Sequence, residues 1–286
     1  MATFVNGYKI EPGANLSGAD LSNGYMPRAH LWDSNLSNAI LSNAFLEEAL
    51  LQNSNLSNAD LSNSNLYTAE LYSTNLGSAN FSNANLKYAK LQKEGLASTN
   101  FNGTNFSNAD LLGATLYGAD LTNAIFSGTN FEKARLNYAD LSKVDLSGLN
   151  FKETNFTKAN LNGANFEGAT LTNADLENAN LRGANLKDVN LTGAIFINLT
   201  SGSIQGTPTL SAPYSIVSGY IIGPSVKLSS AELSAANLDG VNLSTATLIG
   251  ADLSKASLNG ADLLKANLSN ANLSGAQLTS LHLSEA

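Results

Sequence analysis

Groups able to do acid–base, nucleophilic or metal chemistry are sparse in this chain. It has no Cys and only two histidines, His30 and His282. Without Cys there is no disulfide framework, no thiol nucleophile and no Cys-based zinc or iron–sulfur site, and two distant histidines leave little for other metals. The sequence contains no Ser-His-Asp arrangement, no phosphate-binding glycine loop and no metal-ligand cluster. Only Glu94 places an acid at an inward-facing position, in line with Ser34, Ser54 and Thr74. A buried acid of that kind can mark catalysis, but nothing near Glu94 supplies a nucleophile or a cleft, and a local bulge that turns its carboxylate outward is the simpler reading. The formal net charge is −8, with only 13% of residues charged. An acidic chain is a poor direct ligand for nucleic acid, whose binding needs clustered Lys and Arg. The expectation is a protein that is not an enzyme, binds no cofactor and touches neither nucleic acid nor membrane.

What would have to position any site is a repeat. Stepping by five from Leu16 to Phe196 meets 37 centres, of which 27 are Leu, nine Phe and one Met. Two residues before each centre stands Ala, Gly, Ser or Thr in 33 cases, the exceptions being Glu94, Val144, Leu149 and Val189. The pattern resumes in a new register from Leu228 to Leu283, where all 12 centres are Leu. A period of five fits neither the 3.6 of an amphipathic helix nor the 2 of a long strand. A helix would scatter those leucines around its surface. If each pentad is instead one short extended side followed by a turn, the large centre and the small residue before it both point inward. Asn or Asp between them faces out, and the two residues after the centre make the corner, where Asn and Gly tolerate positive φ.

Tandem units such as Ala19-Asp20-Leu21-Ser22-Asn23, Ala59-Asp60-Leu61-Ser62-Asn63 and Ala261-Asp262-Leu263-Leu264-Lys265 resemble the pentapeptide-repeat family. The resemblance covers 49 pentads, 245 of the 286 residues. It implies an all-β fold, a right-handed quadrilateral β-helix with four pentads per coil. That gives about 12 coils in two registers, a rod roughly 58 Å long at about 4.8 Å per rung. The composition also resembles repeat proteins abundant in cyanobacteria.

The interruption between the registers holds Gly202, Gly206, Pro208, Pro213 and Pro224. Its second half, Ile216-Val217-Ser218-Gly219-Tyr220-Ile221-Ile222-Gly223-Pro224, repeats Phe4-Val5-Asn6-Gly7-Tyr8-Lys9-Ile10-Glu11-Pro12. Both copies precede pentads, as a cap over an open solenoid end would. The expected organisation is a cap at 1–15, a main solenoid at 16–198, a linker with a second cap at 199–227, and a short second block at 228–286. Docking of the short block on the long one is favoured, because three coils alone bury little. No apolar run is long enough to cross a membrane, and no secretory signal is visible at the start, so the expected location is the cytoplasm.

Two surfaces stand out. Tyr25, Trp32, Ile40, Phe45 and Leu50 put large apolar groups where Asn and Asp are usual, and contiguous exposed apolar area marks partner sites. They form a candidate belt for an unknown protein partner. The final coil, with Leu273, Leu278, Leu283 and with Leu281 where Ala is usual, lacks a visible cover. An open edge invites pairing, so a homodimer through this coil is a second candidate.

The resemblance adds that gyrase-binding members of the family dimerise through C-terminal ends and mimic DNA. Residues 1–86 carry seven acids against Lys9 and Arg28, but the C-terminal coils are nearly neutral. A protein-interaction scaffold is the primary functional expectation, and a regulator or protector of gyrase the alternative. Stacking by 20 also predicts outward columns, one reading His30, Leu50, Glu70, Lys90, Asp110, with ion pairs along the last three. Glu132 with Lys152 and Lys133 with Glu153 repeat the idea. Asn-Leu-Ser sequons and the Ser22-Asn23, Ser42-Asn43, Ser62-Asn63, Ser82-Asn83 array are products of the repeat, not signals of glycosylation or ice binding.

Overall fold

The computed structural model describes residues 3–92, 95 and 98–285. Each pentad closes a tight turn after its centre, as in the Ala19 N–H donating to the Leu16 carbonyl at 3.0 Å. The second turn residue is left-handed. Gly18 has φ +67° and Asn23 +56°, but Arg28, Thr68, Tyr88 and Lys133 adopt the same conformation. That costs roughly 1–2 kcal/mol for a non-glycine residue, and the rung bonds on either side hold it there. The outward residue of each side pairs in parallel with the one 20 residues on: Asn15 with Asn35, Asp20 with Ile40, Tyr25 with Phe45, His30 with Leu50. These four pairings mark four sides. Each joins two coils through a reciprocal pair of bonds, such as Leu21 N–H to Ile40 O at 2.7 Å and Ile40 N–H to Ala19 O at 2.9 Å.

Centres and small residues alike are buried, from Leu16 and Ala19 through Leu263 and Ala266. Phenylalanines stack face to face along the axis, Phe106 on Phe126 at 5.7 Å and Phe131 on Phe151 at 5.0 Å between ring centroids. Most sides are too short to register as strands. The longer ones among the described residues are β1 (Thr3–Val5), β2 (Tyr8–Ile10), β3 (Lys90–Gln92), β4 (Thr115–Leu116), β5 (Ser215–Val217) and β6 (Tyr220–Ile222). β1 and β2 form one antiparallel hairpin, β5 and β6 another, and β3 pairs with β4 in parallel.

From Asn15 to Gln205 the 20-residue step fails once. Asn75 pairs with Asn100, Asn80 with Asn105 and Asn85 with Asp110, a step of 25, so one pentad's length is spent between Gln92 and Thr99. Thr99 takes the inward position above Thr74: its Oγ1 donates to the Leu91 carbonyl at 2.7 Å, and its N–H to Gln92 Oε1 at 2.6 Å. The inward polar strip of Ser34, Ser54 and Thr74 therefore continues to Thr99. Glu94 lies outside the described residues.

Val144 and Leu149 do point inward, as their positions require. Beside them a crevice of about 290 Å3 opens, lined by Ala124, Ile125, Phe126, Val144 and Leu149.

Residues 199–209 depart from a free linker. Thr200 pairs with Asn180, Gln205 with Asn185 and Thr209 with Asn190, so this stretch is wound onto the rod although Ser201 and Gly206 stand where Leu or Phe centres are due and the last side is one residue short. Leu199 and Ile204 fill the core there. The β5–β6 hairpin then seats on this coil. The Ile204 N–H donates to the Gly219 carbonyl and the Ile221 N–H to Ser201 Oγ, both at 3.0 Å. Thr200 in turn pairs with Lys227, and Lys227 with Thr247, which carries the ladder into the second block.

Two expectations follow. Deleting residues 93–97 joins Gln92 to Ser98 and restores a complete pentad, so the β-sheet circular dichroism and cooperative unfolding should persist; loss of either would show that the extra pentad supports its neighbours. Ile221→Lys puts a charge into the fully buried joint and should cost about 2–4 kcal/mol, read as a lower midpoint in urea unfolding.

Candidate interaction surface

The structure brings Tyr25 and Phe45 together on one side of the rod, with ring centroids 6.0 Å apart. Tyr25 is 74% exposed and Phe45 50%, so the β1–β2 hairpin does not cover them. Ile40 and Leu50 occupy the two flanking sides of the same coil, Ile40 exposed and Leu50 half-buried. Trp32 sits in the turn beyond, exposed at its side chain while its carbonyl accepts the Gly13 N–H at 3.0 Å. The five residues thus form a band wrapped over successive sides, not a single flat patch. Phe4 and Tyr8, on the hairpin next to this band, are exposed as well. In the sequence both belong to the repeated cap motif, and no break in a repeat marks them as surface groups.

Below the band, a hollow of about 570 Å3 is lined by Lys9, Ile10, Glu11, Tyr25, Arg28 and His30. Its cations are already matched. Arg28 makes a two-pronged contact with Glu48, at 2.9 and 3.1 Å, which holds the Glu48 carboxyl below its ordinary range. Lys9 pairs with Glu11 at 2.5 Å. The hollow therefore offers little net positive charge to an anion.

Farther along, Glu70 gathers three donors: Lys90 Nζ at 2.5 Å, Gln52 Nε2 at 2.5 Å and Tyr72 Oη at 2.9 Å. Partial burial pushes its pKa up, but those hydrogen bonds outweigh burial and leave it below the usual glutamate range. Because of the 25-residue step, Lys90 is followed in its column by Thr115 and not by Asp110. Asp110 instead lies beside Asn85 and pairs with Lys87 at 3.1 Å. Glu132 with Lys152 and Lys133 with Glu153 meet at 3.6 and 3.7 Å.

At the other end, Leu273 and Leu281 are half-buried, whereas Leu278 is 42% and Leu283 49% exposed. Among the described residues, no group of His, Asp and Glu could hold a metal ion, and no helix is long and apolar enough to cross a membrane.

A four-sided parallel coil with Leu or Phe inside and Asn ladders outside defines a repeat solenoid. The chain belongs to the pentapeptide-repeat family: the pattern described as Pentapeptide repeats matches in overlapping segments over residues 13–93, 159–198 and 227–286, and that described as Pentapeptide repeat region matches residues 99–176. Membership makes the fold a right-handed β-helix. No curated protein matches the chain.

Among solved structures it is similar to HetL, a pentapeptide repeat protein involved in heterocyst differentiation regulation from the cyanobacterium Nostoc sp. strain PCC 7120. The identity is 28%, over 96% of this chain and 84% of that one, with a TM-score of 0.30. It is also similar to QnrB1, a plasmid-mediated fluoroquinolone resistance protein, at 19% identity over 71% and 92% of the two chains and a TM-score of 0.30. A third is Rfr23 from the cyanobacterium Cyanothece 51142, at 28% identity over 43% and 89%, with a TM-score of 0.24. The family assignment rests on the repeat matches, not on these superpositions.

A depressed carboxylate contributes stability above its unfolded pKa and loses it as pH falls through the folded one. Glu70→Gln should therefore lower stability by about 0.5–1 kcal/mol near neutral pH. The gap from wild type should close in acid, below the ordinary glutamate pKa, when denaturant midpoints are compared across pH. A gap that stays constant with pH would assign the effect to packing.

Proposed function

We propose that the protein is a non-enzymatic scaffold that docks a protein partner on the belt of Tyr25, Trp32, Ile40, Phe45 and Leu50. The supporting observation is the Tyr25–Phe45 pair, two large aromatic groups held in contact and exposed on a rod whose outward positions are otherwise mostly Asn and Asp. A rigid ladder presents them at no cost in ordering. Aromatic groups of this size are common anchors of protein interfaces. The interior is filled by side chains, so the chemistry of the protein is that of its outside.

The gyrase reading implied by family resemblance has no specific observation in its favour. A DNA mimic needs unmatched acid along the rod, whereas Glu48, Glu70, Glu153 and Glu167 each face a cation on the neighbouring coil.

The test uses Ile40→Lys with Phe45→Lys, and Ile195→Lys as a control on another exposed apolar position. All should keep the wild-type circular dichroism, since none of the three side chains is in the core. A partner captured by the wild type and the control, but not by the double variant, is the expected result. Trp32, the one Trp in the chain, should shift its emission on titration with that partner. Unfolding of the double variant would make the belt structural, and undiminished capture would move the site elsewhere.

A further inference from the structure

The two hairpins are the same module used differently. In each, a two-residue turn with both residues at positive φ joins the strands: Asn6 and Gly7 at +48° and +87°, Ser218 and Gly219 at +49° and +76°. The registers match, Phe4 opposite Lys9 as Ile216 is opposite Ile221, and Val5 opposite Tyr8 as Val217 is opposite Tyr220. Directly opposed residues share a face, so each hairpin has an inner face toward the pentads that follow it and an outer face turned the other way.

The inner faces behave alike. Val5 and Ile10 are buried at the first coil, as Ile222 is in the second block. The outer faces do not. In the internal hairpin that face carries Ile216 and Ile221, and it sits on the coil before it. Ile221 is fully buried, Ile216 packs against the core, and the hairpin is latched by the Gly219 carbonyl and the Ile221 N–H. In the first hairpin the equivalent residues are Phe4, 62% exposed, and Lys9, also exposed. The equivalent latch groups, the Gly7 carbonyl and the Lys9 N–H, take no partner from the solenoid among the described residues.

The coil of Leu268 to Leu283 presents the matching need. Among the described residues, the N–H groups of Leu268, Leu273 and Leu278 donate to no backbone carbonyl. A hollow of about 510 Å3 opens there between Ala266, Leu268, Ser269, Leu283, Lys265 and Glu285. It is large enough for a phenyl ring, and its rim carries the Glu285 carboxylate, paired with Lys265 at 3.3 Å.

We infer that the outer face of the β1–β2 hairpin docks on the Leu268–Leu283 coil of a second copy of this chain, head to tail, in the way the internal hairpin docks on the coil before it. Phe4 takes the place of Ile216 and enters the hollow. Lys9 takes the place of Ile221, its stem lying on apolar surface and its ammonium, paired with Glu11 in the free chain, joining the Lys265–Glu285 pair at the rim. One charge where the internal joint has Ile makes this contact weaker and more salt-sensitive than the joint. A head-to-tail contact is heterologous, so it propagates into open assemblies unless rotation closes a ring.

The absence of Cys gives a clean background for a test on the full chain. Thr3→Cys and Ser269→Cys proteins, distinguished by a tag on one, are mixed and treated with a short bismaleimide. Head-to-tail docking yields the mixed product and neither product from a single variant. Cross-linking of Ser269→Cys to itself would mean tail-to-tail pairing, and of Thr3→Cys to itself head-to-head pairing; either overturns the inference. Sedimentation of the unmodified chain should show a mass that rises with concentration and falls with added salt. A mass fixed at the monomer also overturns it. Phe4→Glu, a change at an exposed side chain, should keep the circular dichroism and raise the concentration for half-association at least about tenfold. Phe45→Lys should leave association unchanged, which separates this contact from the belt.

Discussion

Everything in this molecule depends on turning a corner in five residues. The corner needs a residue in the left-handed region after each centre, and a small residue before the next one so that two sides can meet. Once both are met, the side chain of the centre has nowhere to go but the axis, and the backbone groups of each side have nowhere to bond but the neighbouring coils. The second consequence explains why Arg28, Tyr88 or Lys133 can stand where Asn or Gly is easier. Rung bonds above and below fix the backbone, and the local preference is overruled. It also explains why Leu and Phe interchange at centres. A stack of parallel rings 5.7 Å apart, as for Phe106 and Phe126, fills the axis as leucines do.

The outward Asn columns add a polarity of their own. Asn35 Nδ2 donates to Asn15 Oδ1, and Asn75 Nδ2 to Asn55 Oδ1, toward the lower-numbered coil, while the same Oδ1 accepts the N–H two residues on, as Asn35 does from Ser37; Asn155, below Asp175, donates the other way. An aspartate in this position can accept but cannot donate. It can begin a ladder, as at Asp60, Asp145 and Asp140, and it interrupts one where it stands over Asn, as Asp110 over Asn85, Asp175 over Asn155 and Asp262 over Asn242. Asp60 stands over Ile40 and receives Asn80, and Asp145 lies in the column of Ile125 and receives Asn165. Asp140 follows Asp120 and receives Asn160. The choice between Asn and Asp, which looks interchangeable in the repeat, sets where side-chain donation to the coil before stops.

Much of the architecture is legible in the sequence because the repeat states it many times over. Inward centres, small corner residues and outward Asn need no knowledge of distant parts of the chain. What the period cannot state is where four sides close a coil. Leu91, Leu96 and Phe101 keep the five-residue spacing without a flaw, yet the coil that contains them takes 25 residues. A column drawn through Lys90 to Asp110 is misplaced for that reason, and the sole local warning was an acid, Glu94, at a position that wants a small residue. The winding of residues 199–209 was hidden for the opposite reason. There the large centres stop, with Ser201 and Gly206 in their places, but backbone pairing needs no particular side chain, and Thr200, Gln205 and Thr209 hold their rungs by main-chain bonds.

The candidate surfaces follow the same logic. Tyr25, Phe45 and Ile40 were readable because they break a pattern that otherwise forbids them, and the structure adds which of them touch. The outer face of the first hairpin was not readable, since Phe4 and Lys9 violate no repeat. Its meaning comes from comparison within one molecule: the same hairpin, with Ile216 and Ile221 in those places, is buried against a coil. A rod of identical rungs has few ways to recognise anything along its length. Its specificity must be written where the repetition stops, in substitutions that depart from the column and at modules that interrupt the stack.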